Sequence, residues 1–158
     1  MKTIRFTVAA LGLFLSSLAA SAQTTAPVLT AYYTVKDALV ATDAAKAKTG
    51  ATALVAALEK VDAAKLSAAD KKALATAKSK AATISKSTEV DAQREQFEAL
   101  STSMIALAKA TKPAKTFVQF CPMAAEGKGA SWLSSTREVR NPYYGDKMLK
   151  CGSVKEEI

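Results

Sequence analysis

SAADKKALATAKSKAATISKSTEVDAQREQFEALSTSMIALAKAT, residues 67–111, is the stretch that decides the fold. It reads as two amphipathic helices with a break between them. Ser67 followed three residues on by Asp70 is a start signal, since such side chains satisfy N–H groups that a first helical turn leaves free. Leu74, Ala77, Ala81 and Ile84 then recur at helical spacing, which predicts a helix over about 68–86. Thr88 with Asp91 marks a second start. The stripe Val90, Phe97, Leu100, Met104 and Leu107 predicts a helix over about 89–111.

Upstream, Val28, Leu29, Tyr32, Val35, Leu39 and Val40 keep the same period. They predict a first helix from Pro27 to Lys48, with Pro27 in the first turn, where its missing N–H costs nothing. Gly50 reads as its stop. Leu54, Val55, Leu58 and Val61 predict a second helix over about 51–61. The chain has 34 alanines among its 158 residues, and alanine is the best helix former. Capping, propensity and periodicity agree on an all-α chain, an up-and-down four-helix bundle over 27–112. From Pro113 the composition changes. Residues 113–158 hold four of the six glycines, both cysteines and the only tryptophan. Thr116 to Phe120 is a short β-prone run, either a strand or an extended segment laid on the bundle. Beyond it, Gly127, Gly129, Gly152, Pro122 and Pro142 predict turns. The expectation is an irregular segment anchored on the bundle by Trp132, Leu133, Tyr143 and Tyr144.

Residues 1–22 read as an export signal: Lys2 and Arg5, the apolar run Val8–Leu18, then Ala20-Ser21-Ala22 as a small-x-small cleavage site. The apolar run is too short to span a bilayer, so no transmembrane segment is expected after cleavage. A single domain over 23–158, located in the periplasm, follows. The formal charge of +8 becomes +6 when Lys2 and Arg5 leave. The lysines are scattered, as on solvated helix faces, and nucleic acid is not an expected partner.

The chain contains no histidine. That excludes His-dependent nucleophile pairs, a His general base and histidine-ligated zinc or haem. Glu126, Glu138 and Asp146 are carboxylates in the glycine-rich part, but nothing in the sequence sets their separation, and surface ion pairing is the simpler reading. No catalytic residue is assigned. The sulfur residues carry more information. Cys121-Pro122-Met123 and Met148-Leu149-Lys150-Cys151 each pair a cysteine with a methionine. Residues two apart in an extended segment point the same way, and residues three apart in a helical turn are neighbours. Cys121, Met123, Met148 and Cys151 are therefore candidate ligands for Cu(I) or Ag(I), which favour thiolate and thioether. A structural disulfide is the alternative, as expected of an even cysteine count in an exported protein. Inert buried thiols are a third.

Three segments resemble a known family: Tyr33–Asp43 (YTVKDALVATD), Phe97–Ala108 (FEALSTSMIALA) and the C-terminal block from Gln119-Phe120-Cys121-Pro122-Met123 through Trp132 to Cys151-Gly152. The chain is similar to the exported domain-of-unknown-function family 3347. Related domains stand alone after a signal peptide or are appended to periplasmic adaptors of copper and silver efflux systems. The resemblance implies a periplasmic protein that binds or hands over a soft metal beside an efflux adaptor or other envelope protein. It implies no catalytic residue. A non-metal interaction module stapled through Cys121 and Cys151 remains the other reading. Mass spectrometry of the exported protein is expected to show the chain without residues 1–22; retention of Met1–Ala22 contradicts the leader.

Overall fold

The structure, a computed structural model, describes residues 17–158, with side chains from Thr25 onward. Residues 1–16, and with them most of the expected leader, lie outside the described residues. Four helices are described: α1 Ser17–Val40, α2 Ala44–Glu59, α3 Ala68–Ile84 and α4 Val90–Thr111. Sequential helices pack against each other, and α4 returns to α1. The stripes read from the sequence are the buried faces. Leu74, Ala77, Ala81 and Ile84 of α3 are buried, as are Phe97, Leu100, Met104 and Leu107 of α4. Ser67 caps α3, its Oγ accepting from Asp70 N at 3.2 Å. At α4 the cap position falls on Glu89, without a side-chain bond, rather than on Thr88.

The first two helices are divided differently from the expectation. The break lies at Ala41–Asp43, not at Gly50. Thr42 takes a left-handed φ of 56°, and Asp43 caps α2 by accepting from Lys46 N at 2.9 Å. A capping Asp outcompetes the helical period that runs through it. Gly50 sits inside α2 and is buried against α1. A Cβ there would stand 3.2 Å from Val35 N and 3.1 Å from Thr34 Cγ2, so the glycine serves helix contact rather than helix termination. Pro27 is inside α1, because the helix extends upstream to Ser17. Lys36 departs from the solvated-lysine pattern. It is buried and paired to the neighbouring Asp37.

The all-α expectation is corrected after Pro113. Three strands, β1 Phe117–Cys121, β2 Ala130–Ser134 and β3 Ser153–Glu157, form an antiparallel sheet in the order β2-β1-β3. Phe117 faces Ser134 and Cys121 faces Ala130 across the first pair. The second pair shifts register between Val118 and Gln119. Only the first strand has the β-branched and aromatic composition that announces a strand. Ala-Ser-Trp-Leu-Ser and Ser-Val-Lys-Glu-Glu become strands because β1 offers them N–H and C=O partners.

The sheet is joined to the bundle through β2, which packs on α4. Tyr32 of α1 is 0% exposed at this joint. Its hydroxyl shares a 2.7 Å hydrogen bond with Ser101 Oγ of α4 and accepts from Leu133 N of β2 at 3.1 Å. Its ring stacks on Phe97 at 5.4 Å, Phe97 meets Tyr143 at 5.7 Å, and Tyr143 meets Trp132 edge-on at 5.9 Å. Trp132 is fully buried, as expected of an anchor of the C-terminal segment. Tyr32→Phe keeps the ring but strips both partners of a buried hydrogen bond. It is expected to cost about 1–3 kcal/mol in chemical denaturation; a change near zero would mean that the hydroxyl does not hold the joint.

Candidate functional site

The C-terminal lobe is organised around Cys121 at the end of β1. Cys121 and Cys151 form a disulfide with their Cα atoms 5.6 Å apart and a sequence separation of 30. Of the readings open for these cysteines, the disulfide is the one formed, and no free cysteine is present among the described residues. Closing a loop of that length stabilises by about 3.5–4 kcal/mol on the chain-entropy account. Cys121 is 0% exposed, whereas Cys151 is partly exposed.

A second device holds the same point without sulfur. Asn141, 0% exposed, donates from Nδ2 to Cys151 O at 3.0 Å and from its backbone N to Leu149 O at 2.8 Å. Its Oδ1 accepts from Tyr143 N at 2.8 Å and its backbone O from Gly145 N at 3.1 Å. Gly152, at φ 139°, lets the chain pass so close to β1 that a Cβ would stand 2.8 Å from Phe120 O.

The two methionines are placed differently. Met148 closes a short 3-10 turn, Gly145–Met148, is partly buried, and accepts from Cys151 N at 3.0 Å through its carbonyl. Met123 follows Cys121 by two residues and is 53% exposed, the one exposed large apolar side chain among the described residues. Its carbonyl accepts from the Tyr144 hydroxyl. The turn continues through Ala125 at φ 51°, Glu126 at φ 57° and Gly127 at φ 82°, three successive left-handed residues. L residues with side chains adopt that conformation at a cost, and here bonds such as Gly129 N to Ala124 O at 2.9 Å hold it. Among the described residues, no three His, Cys, Asp or Glu side chains are grouped closely enough to hold a metal ion.

Between this turn and α4 opens a cleft of about 560 Å³. Asp91, Arg94, Glu95 and Glu98 line its helical wall; Glu126, Lys128 and Tyr144 are on the other side. Arg94 is 8% exposed and its donors are spent inside the protein. Nε donates to Pro142 O at 3.1 Å, Nη2 to Leu39 O and Thr42 Oγ1 at 3.0 Å each, and Nη1 to Asp91 at 3.1 Å. It thus ties α4 to the end of α1 and to the C-terminal lobe. Reading the stripe of α4 alone missed Arg94, because a charged residue beside an apolar stripe looks like a solvated one. Asn141 was missed because its partners Leu149 and Cys151 are eight and ten residues away, although Asn-Pro is a recognised turn starter. Glu138 and Asp146, the other carboxylates noted in this part of the sequence, are exposed.

The helical part and the lobe differ in their match to known families. The family model described as "Protein of unknown function (DUF3347)" matches residues 28–116, just over half of the chain. The chain belongs to the DUF3347 family. No curated protein and no solved structure matches it. The matched segment covers α1 from Val28 through α4 and ends at Thr116, one residue before β1. The disulfide, both methionines and the lobe side of the cleft therefore lie beyond the DUF3347 match.

Burial also sets the chemistry of the phenols. It holds the Tyr32 hydroxyl well above its ordinary value of 10, and Tyr143, whose hydroxyl donates to Ser131 O at 2.7 Å, is raised by the same cause. The folded state therefore keeps protons that the unfolded chain loses above pH 10, so the stability contributed is full below pH 10 and falls as pH rises beyond it. In an alkaline titration followed by tyrosinate absorbance, Tyr32 and Tyr143 are expected to ionise only as the near-ultraviolet dichroism of Trp132 is lost. Ionisation with the dichroism intact would contradict their burial.

Proposed function

We propose that this DUF3347 protein is an exported, non-catalytic binding protein that takes up a soft metal ion, Cu(I) or Ag(I), as cargo in the periplasm. The observation that carries the reading is the meeting of Cys121 and Cys151, with Met123 two residues after the first cysteine and Met148 three before the second. Core packing does not account for Met123, which is 53% exposed. Thiolate and thioether donors together favour Cu(I) over the harder divalent ions, which take oxygen and imidazole. The metal is cargo and is passed to a periplasmic efflux adaptor or another envelope protein, as the family resemblance implies. No helix among the described residues is long and apolar enough to cross a membrane, and the disulfide is compatible with an oxidising compartment.

A second reading is favoured by the staple itself. The disulfide is closed, and the cleft between the lobe and α4 sets four carboxylates against Lys128 and an internally engaged Arg94. A non-metal interaction module that docks a cationic partner has that appearance. The readings part at Met123. In competition between the reduced protein and a Cu(I) chelator, Met123→Leu is expected to weaken binding by at least the roughly 10–100-fold that loss of a supporting partner costs a metal site. Its stability should stay within about 0.5 kcal/mol, as usual at the surface. Unchanged affinity, or no Cu(I) uptake by the reduced parent, would leave the interaction module as the function.

A further inference from the structure

We infer that the Cys121–Cys151 disulfide is a redox gate on the soft-metal site, opened from the Cys151 side by a dithiol reductant while the lobe around it stays folded. The inference rests on the soft-metal reading and adds its regulation. The two cysteines are unequal: the Cys121 residue is 0% exposed at the end of the central strand, and the Cys151 residue is partly exposed. Thiol–disulfide exchange depends on which sulfur a thiolate can reach. A thiolate of the dithiol attacks the Cys151 sulfur, the S–S bond breaks, and Cys121 leaves as a thiolate that takes up a proton. The second thiol of the reductant then attacks the mixed disulfide, releases Cys151 as a thiol, and leaves the reductant as a disulfide. Two electrons pass to the protein. Each cysteine gives up its proton again when a soft cation binds.

The gate works only if the cysteines stay together once the bond is gone, and the structure supplies the means. Cys121 is held in β1 opposite Ala130. On the other side Asn141 Nδ2 holds Cys151 O, Cys151 N is bonded to Met148 O, and Gly152 lies against Phe120 O. None of these contacts uses a sulfur atom. In the oxidised protein both sulfurs are spent on each other, so no thiolate is available to a metal.

The test compares full-length protein, oxidised and dithiol-reduced, by thiol titration, Cu(I) chelator competition and near-ultraviolet dichroism of Trp132. Thiols should rise from none to two per chain, Cu(I) uptake should appear only in the reduced form and vanish on re-oxidation, and the Trp132 signal should persist. Equal uptake by both forms overturns the gate but leaves the soft-metal reading standing on the methionines. No uptake by either form defeats the soft-metal reading itself. Loss of the Trp132 signal on reduction overturns the gate, because the frame then depends on the sulfur bond. A monothiol adduct trapped during reduction should map to Cys151; an adduct on Cys121 overturns the direction of attack. A Cys151→Ser chain should lose Cu(I) uptake under reducing conditions, whereas Lys155→Ala, on the exposed strand β3, should not.

Discussion

The hydroxyl of Tyr32 is the polar atom on which the arrangement of this protein turns. It lies with no solvent exposure where α1, α4 and β2 meet, and it bonds to Ser101 Oγ and Leu133 N. A buried amide without a partner is costly, so the sheet can close on the bundle only in the position that delivers Leu133 N to this oxygen. The aromatic chain from Tyr32 through Phe97 and Tyr143 to Trp132 fills the space around it. A parallel link runs from the Tyr33 hydroxyl to Thr116 Oγ1 at 2.6 Å, and from there to Ser134 O at 3.1 Å. Both links begin on adjacent residues of one helix. Bundle and sheet are therefore a single packed unit at this seam.

What is built on the seam depends on two further constraints. Arg94 spends its guanidinium on Leu39 O, Thr42 Oγ1, Pro142 O and Asp91, which fixes the turn after α1 and the entry to the C-terminal lobe together. Gly145 has to be glycine in this setting. Its φ is 59°, and a Cβ would stand 2.7 Å from Arg94 Nη2. Asn141 and the disulfide then hold the lobe's own ends. The surface that results is a cleft with α4 on one side and a left-handed turn on the other, with an exposed Met123 near the buried cysteine. Both cysteines, Met123 and Met148 lie on this lobe, beyond the last helix of the bundle.

The helical half was readable because its information is local. Each stripe is a periodic pattern within one segment, and the side chains of Leu74, Ala77, Ala81 and Ile84 are buried as that pattern requires. Where two local signals competed, reading by period alone failed. The period runs through Ala41–Asp43, yet the Asp43 cap and the left-handed Thr42 break the helix there, and Gly50 continues the next one. The sheet was hidden for a different reason. A strand such as Ser153–Glu157 has little intrinsic preference, and its pairing with β1 joins residues more than thirty positions apart.

At the site, the sequence by itself determined which atoms are available: two thiols, two nearby thioethers and no imidazole. That inventory limits the chemistry whatever the fold, because donor type follows from residue identity. Only the tertiary structure decided how those atoms are used. It brought Cys121 and Cys151 together from opposite ends of a 30-residue separation and joined them in a bond. It also buried Cys121, left Cys151 partly exposed, and left about half of Met123 uncovered, at 53% exposure. Proximity of this kind comes from strand pairing, from the hydrogen bonds of Asn141 and from the seam at Tyr32. Each of these joins residues far apart in the chain, so no local pattern encodes it.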